Sequence, residues 1–191
     1  MSRTLAIALV HYPALDKEGK VVTTALTNMD VHDLARSART YGCSDYFVVH
    51  PVEMQRELTA RIVAHWTDGS SAKRIPDRKD ALSLVRAVAT LDDAALAMRA
   101  AQDDPEAGIE IWVTAARVLP GKTTLAFEEA RTRLEMPGRP VLLVFGSGWG
   151  LAPEIVDRAD ALLAPIRGFG EWNHLSVRAA CAIALDRLRS T

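Results

Sequence analysis

The chain has 191 residues, of which 49% are apolar and 25% charged, and its formal net charge is −1. That length suggests one large domain, or one domain with an appendage, able to bury its own core, and the balance is that of an ordinary soluble globular protein. Near-neutral charge supplies no global basic footprint, so any nucleic-acid binding must rest on a local patch. The two cysteines, Cys43 and Cys181, stand at no metal-ligand spacing and read as reduced thiols, with no metal site expected. No apolar stretch approaches the about 18 residues a membrane span needs. The apolar run after Met1-Ser2-Arg3-Thr4 is too short for a signal-peptide core, so a cytoplasmic location is expected.

In chain order, Leu5–Val10 is an apolar run that reads as a strand. The polar stretch Tyr12–Thr27 is a loop long enough to form a lid or a partner surface. A helix follows at Met29–Tyr41, where Val31, Leu34, Ala35, Ala38 and Tyr41 keep helical spacing and Gly42 is placed to end it. At about 100° per residue, His32, Arg36 and Arg39 fall on one stripe with Asn28 a turn earlier. That stripe is either a solvated face or the polar wall of a cleft. Tyr46–Val49 is a strand ending at His50-Pro51, Glu53–His65 a helix, and Gly69–Asp77 a second polar loop. Leu84–Val88 reads as a strand, although Asp80–Ala89 also fits a helix. Then come helix Leu91–Gln102, strand Ile109–Val113, helix Thr124–Leu134, strand Val141–Phe145, helix Pro153–Arg158, strand Ala161–Ala164 and helix Leu175–Arg189.

This alternation predicts an α/β fold, a mostly parallel sheet with helices on both faces, in a single domain over 1–191. The last helix carries only Arg178 as a charge between Val177 and Leu185, among Ala179, Ala180, Ala182 and Ala184. A helix apolar nearly all round is buried on more than one side, which predicts a two-fold homodimer.

Three chemistries compete for the loops. Ala116-Arg117-Val118-Leu119-Pro120-Gly121-Lys122-Thr123 is a relaxed phosphate-binding loop between a strand and a helix, but alanine replaces its first glycine. No strand ends in an aspartate placed to hold magnesium, and the alternative is a loop that turns at Gly121 and caps the next helix with Thr123. Gly146-Ser147-Gly148-Trp149-Gly150-Leu151, directly after Val141–Phe145, lacks the last spacing of a dinucleotide fingerprint. The third chemistry is an adenosine-type ligand without phosphate, read by backbone groups at strand ends: Thr114-Ala115-Ala116-Arg117, the glycine turn, and Pro165-Ile166-Arg167-Gly168.

The stretch Leu143-Val144-Phe145-Gly146-Ser147-Gly148-Trp149-Gly150-Leu151-Ala152-Pro153-Glu154-Ile155 resembles the second motif of the SPOUT superfamily of RNA methyltransferases. Pro165-Ile166, followed by Asn173-His174-Leu175-Ser176-Val177-Arg178-Ala179-Ala180, resembles its third motif. Asp30-Val31-His32-Asp33-Leu34-Ala35-Arg36-Ser37-Ala38-Arg39-Thr40-Tyr41-Gly42 resembles the first, whose arginine lies six residues before a glycine, as Arg36 does here. The closest resemblance is to a bacterial branch of RNA methyltransferases that use S-adenosylmethionine (SAM).

The resemblance implies a deep trefoil knot in the C-terminal part, SAM bound by the knot loops, and a dimer with its active site beside the interface. It implies a cofactor set of Thr114, Ala115, Phe145, Gly146, Ser147, Gly148, Gly150, Pro165, Ile166, Asn173, Leu175 and Ser176. The turn lacks the glutamate of many ribose 2′-O-methyltransferases, His174 aligns with their asparagine, and Asp30 stands where the first motif often has asparagine. A base nitrogen and a ribose hydroxyl of tRNA or rRNA therefore both stand as acceptors. Arg36 is the expected catalytic residue; Asp30, His32, His174, Asp33 and Glu171 are proton acceptors to consider. Arg39, Arg117, Lys122 and Arg167, with Arg131, Arg133 and Arg139, are the expected RNA contacts, and Trp172 can stack on a base. A phosphate-loop nucleotide enzyme and a non-catalytic RNA-binding protein of this fold are the alternatives.

Overall fold

The computed structural model describes residues 2–68 and 73–190. Its elements in order are β1 (Leu5–Leu15), β2 (Val21–Val22), α1 (Asn28–Thr40), β3 (Tyr46–Val49), α2 (Glu53–Thr67), α3 (Pro76–Leu82), β4 (Val85–Val88) and α4 (Leu91–Ala100). A 3-10 turn at Pro105–Ala107 precedes β5 (Glu110–Val113), α5 (Phe127–Glu135), β6 (Val141–Gly148), α6 (Pro153–Asp157), β7 (Ala161–Leu162) and α7 (Val177–Arg189).

The strands form one sheet ordered β4-β3-β1-β6-β5-β7, parallel throughout, with β2 joining β1 antiparallel off that path. The central strands are buried on both sides, which is why they read as unbroken apolar runs. Leu5, Ile7 and Leu9 of β1 face a core shared with α1, α3, α5 and α7. Ala6, Ala8 and Val10 face the opposite core, built with α4 and α6. Trp112 is fully buried, and its indole N–H donates to Glu110 Oε2 at 2.9 Å.

Local signals explain the helix ends. Thr27 caps α1: its hydroxyl oxygen accepts from the Asp30 N–H while the Asp30 carboxylate accepts from the Thr27 N–H, a reciprocal capping box. At the other end Gly42 has φ 68°, Cys43 N–H donates to Ala38 O at 2.9 Å and Gly42 N–H to Arg39 O at 3.3 Å. That double closure needs a left-handed residue, which glycine supplies.

The structure departs from the sequence reading in four places. First, β1 runs to Leu15 and β2 pairs with its end, so much of the expected loop Tyr12–Thr27 is a hairpin. The Asp16 carboxylate accepts from the N–H groups of Glu18 and Lys20 at 2.9 Å each, building the tight turn. Second, β6 continues through Gly148, so the glycine turn begins as strand. Third, helix α3 (Pro76–Leu82) lies where the sequence reading gave no helix, while β4 (Val85–Val88) agrees with the strand read at Leu84–Val88 and not with a helix over Asp80–Ala89. Fourth, the expected helix Thr124–Leu134 starts at Phe127, and Leu125 instead bridges Leu163 in parallel. Of the expected loop Gly69–Asp77, residues 69–72 lie outside the described residues, and Asp77 sits in α3.

Candidate functional site

Parallel strands end on one edge of the sheet, where open α/β folds bind ligands. Three chain segments leave that edge from adjacent strands: Thr114–Arg117 after β5, the end of β6 through Leu151, and Pro165–Gly168 beyond β7. They are tied to each other. The Asn173 side-chain amide donates to Ala116 O at 3.0 Å, and Thr114 donates through both its N–H and its hydroxyl to Val144 O at 3.0 Å.

The glycine turn is held against the end of β1. Leu15 N–H donates to Gly150 O at 2.9 Å, Trp149 N–H to Leu15 O at 2.9 Å, and Ala152 N–H to Pro13 O at 3.2 Å. A Cβ on Gly146 would lie 2.8 Å from the Leu151 nitrogen, so only glycine permits this fold-back. Gly148 has φ 60°, and its absent Cβ would meet Leu15 O at 2.9 Å. Gly150 has φ 115° and faces open space, so a ligand can approach its backbone. Phe145 is buried in the core and offers the edge only its backbone. Ser147 directs its hydroxyl inward, to Val10 O at 2.8 Å and to Thr24 Oγ1 at 2.6 Å. Ser176 caps α7 by accepting from the Ala179 N–H at 3.2 Å. Ala115, Pro165 and Ile166 are half-buried and Leu175 is exposed.

The phosphate-loop alternative does not survive the geometry. Such a loop leads directly into a helix at its hydroxyl residue. Here Thr123 is followed by the Leu125 bridge, α5 begins at Phe127, and its capping position is Ala126, not Thr123. Lys122 Nζ is 2.7 Å from Asp157 Oδ1, an ion pair rather than a free phosphate ligand.

The first-motif residues divide into two groups. Asp30 is nearly buried, with Oδ2 receiving both donors of Thr27 and Oδ1 3.9 Å from Arg178 Nε. Arg178 also reaches Asp33 at 3.6 Å, so it joins the start of α1 to the start of α7. His32 packs edge-on against Trp66 of α2, with ring centroids 5.6 Å apart, and Arg78 of α3 lies over the same indole. Burial, then the nearby Arg78 guanidinium, pushes the His32 pKa down. Arg36 and Arg39 are exposed, and among the described residues neither makes an ion pair. Arg117 and Arg167 are likewise exposed and unpaired, whereas Arg131, Arg133 and Arg139 are held by Ser190, Glu129, Glu110 and Asp160.

The loop before α7 presents aromatic surface. Phe169 and Trp172 are 107% and 80% exposed, and the Trp172 ring lies edge-on to His174 at 6.1 Å. Two surface cavities lie elsewhere: about 300 Å³ between α2 and edge strand β4, beside Thr59, Val63 and Val85, and about 570 Å³ beside Leu96 and Pro105. Among the described residues, no cluster of histidine, cysteine and carboxylate side chains could hold a metal. Cys43 and Cys181 are both buried and free, and burial pushes the Cys43 thiol up to about 12.

Sequence reading missed a buried polar cluster beneath the glycine turn. His11 of β1, His50 at the end of β3 and Thr24 meet Ser147 there; the two imidazoles are 5.3 Å apart. Burial, then the neighbouring His50, lowers the His11 pKa to about 4, against a smaller opposing pull from Asp30. The signal available in the sequence was a polar residue at the end of each of two apolar strands, His11 and His50.

A family model described as SAM-dependent RNA methyltransferase matches residues 4–190. A tRNA (guanine-N(1)-)-methyltransferase of Oleidesulfovibrio alaskensis is 43% identical over 188 residues, which are 97% of this chain but 42% of that relative. The chain thus spans less than half the length of that relative. An uncharacterised protein of Aquifex aeolicus is 39% identical over 192 residues, 100% of this chain and 90% of its own. Among solved structures, the TrmH/SpoU tRNA modifying enzyme of A. aeolicus superposes with a TM-score of 0.57 at 17% identity, over 99% of this chain and 75% of that one. At that identity the likeness establishes the fold.

Proposed function

The chain belongs to the SAM-dependent RNA methyltransferase family, of SPOUT type, and we propose that it transfers the methyl group of SAM to a nucleotide of tRNA or rRNA. The observation that carries this is the convergence of three strand-end segments, crosslinked by Asn173 and Thr114, around a turn that only glycine can form. The residues fit the group: Gly150 leaves its backbone open to a ligand, and the strand-end segments around it offer no phosphate-binding loop but half-buried apolar side chains such as Ala115 and Ile166, which suit an adenine ring. The proposed cofactor set is the twelve-residue one read from the sequence, with Phe145 and Ser147 acting through their backbone.

SAM supplies an electrophilic methyl group on a sulfonium. The chain's own residues must hold the acceptor in line with it and receive the acceptor's proton. Arg36 cannot take that proton, because a guanidinium stays charged; its exposed fork suits a phosphate or a developing oxyanion. With both Asp30 oxygens engaged and His32 packed between helices, His174 is the exposed proton acceptor within the third motif. We propose a base nitrogen or a ribose 2′-oxygen as the acceptor atom. The name of the O. alaskensis relative describes a protein more than half of which lies outside the matched region.

The remainder of the reading is architectural. We propose that the C-terminal segments form a trefoil knot. The TrmH/SpoU likeness and the Leu125–Leu163 bridge support it. A homodimer is supported by the half-buried alanines Ala179, Ala180 and Ala182 of α7 and by exposed Met29 on α1. A single domain over 1–191 is supported by the Aquifex relative, nearly all of which this chain covers. No described helix is long and apolar enough to cross a membrane, and we propose a cytoplasmic location.

Calorimetry with SAM, its demethylated product and ATP tests the reading. The first two should bind and ATP should not; failure of both to bind would sink the proposal. Labelled methyl incorporation into total RNA then identifies the substrate, and RNA binding without incorporation favours the non-catalytic alternative. Arg36→Ala should lower kcat about 100-fold or more and leave the SAM Kd unchanged; an unchanged kcat removes Arg36 from the chemistry. Trp172→Ala should raise KM for RNA about tenfold through a lost stacking contact and spare SAM binding. RNA affinity should fall steeply with salt if the exposed Arg39, Arg117 and Arg167 meet phosphates.

A further inference from the structure

The cluster under the glycine turn has a direction, and the direction can be read from its distances. Ser147 Oγ donates to Val10 O at 2.8 Å. Its lone pairs therefore receive the Thr24 hydroxyl, 2.6 Å away. The Thr24 oxygen in turn receives a proton from His11 Nδ1 at 2.9 Å. The reverse order would make Nε2 the protonated ring nitrogen of His11. That atom is buried with no partner among the described residues, and an orphaned buried N–H costs more than an orphaned lone pair. His11 is thus the Nδ1–H tautomer. His50 is fixed the opposite way: its Nε2–H donates to Thr24 O at 3.0 Å and its Nδ1 accepts from the Val52 N–H at 3.2 Å. Thr24 N–H also donates to His11 O at 2.9 Å, and the Thr24 methyl sits 3.2 Å from where a Cβ of Gly148 would be.

We propose that His11 is a positioning residue for the methyl-donor site, orienting through Thr24 and Ser147 the turn Gly146–Gly150. The proposal rests on the reading that this turn holds SAM. The segment that sequence reading takes for a lid is, at Thr24, clamped to the site from below by two histidines and a serine. Because the chain passes only Nδ1–H to oxygen, a side chain with an N–H at that one position can replace imidazole. Asparagine has one; glutamine would place its amide nearer Nε2.

The test compares His11→Asn, His11→Gln, His11→Ala, Ser147→Ala and the double variant His11→Ala/Ser147→Ala, by SAM calorimetry and thermal melting. His11→Ala, His11→Gln and Ser147→Ala should each weaken SAM binding about tenfold or more in a chain still folded at 25 °C, a temperature set by the assay. His11→Asn should restore most of the affinity, and the double variant should bind no worse than the weaker single one. Nitrogen-15 spectra of the wild type should show Nδ1 of His11 protonated at neutral pH. Equal affinities for His11→Asn and His11→Ala, additive losses, or an Nε2–H tautomer would overturn the proposal. Wild-type protein that binds no SAM overturns the site reading and this role with it. SAM binding that His11→Ala leaves intact overturns the positioning role alone.

Discussion

Gly146→Ala should lose SAM binding by at least about 100-fold, roughly 3 kcal/mol. The added Cβ would stand 2.8 Å from the Leu151 nitrogen, 2.9 Å from its Cγ and 3.0 Å from the Gly150 carbonyl carbon. Two of these three neighbours are backbone, fixed by the Ala14–Leu151 bridge and the Leu15–Gly150 hydrogen bond, so no side-chain rotation relieves the clash. The turn must open, and with it the surface offered to the ligand. Gly108→Ala is the control. That residue has a left-handed φ, 73°, which Gly146 does not share, and its Cβ would meet nothing within 4 Å. It should cost about 1–2 kcal/mol of stability and leave SAM affinity alone. Calorimetry and melting curves on both variants separate the two effects. A folded Gly146→Ala protein with wild-type affinity would show that the turn does not meet the donor.

Stability should also fall steeply on acidification. His11 has its pKa lowered from 6.5 to about 4, chiefly by burial, with His50 adding to the shift and Asp30 opposing it. His50 and His32 are lowered too, each first by burial. A histidine kept neutral in the fold binds fewer protons there than in the unfolded chain at intermediate pH, so stability rises with pH across that window. The contribution is fully present above about pH 6.5 and is lost as pH falls through about 4. For His11 alone it amounts to about 3 kcal/mol. Urea unfolding between these limits should show it, and His11→Asn, which cannot titrate, should flatten the slope by about that amount. Parallel curves for the two proteins would mean that His11 is not held neutral by the fold.

Much of the architecture was legible because burial on both faces writes itself into sequence. Tyr46–Val49 coincides with its strand, and Leu5, Ile7 and Leu9 alternate with Ala6, Ala8 and Val10 between the two cores. The capped helix α1 announced itself through Thr27, Asp30 and Gly42. The misread segments failed for one reason: their local pattern is weaker than a distant partner. Leu125 looks helical until Leu163 pairs with it, and the hairpin β1–β2 looks like loop because β2 is two residues long. In both, tertiary pairing overrides propensity.

The site divides along the same line. The three glycines, the apolar run before them and the spacing of the three motifs are properties of contiguous stretches, and they carry the proposal of a donor pocket without coordinates. Which hydroxyl meets which ring does not follow from any stretch. Thr24 and Ser147 are 123 residues apart and meet only because β1 lies between β3 and β6 in the sheet. The same order brings His50 to His11 and leaves the His11 Nε2 without a partner among the described residues. Sequence determined the strands, the turn and the family pattern, because burial and backbone conformation are local demands. The tertiary structure alone decided the hydrogen-bond partners beneath the turn, because partner choice depends on strand order and register.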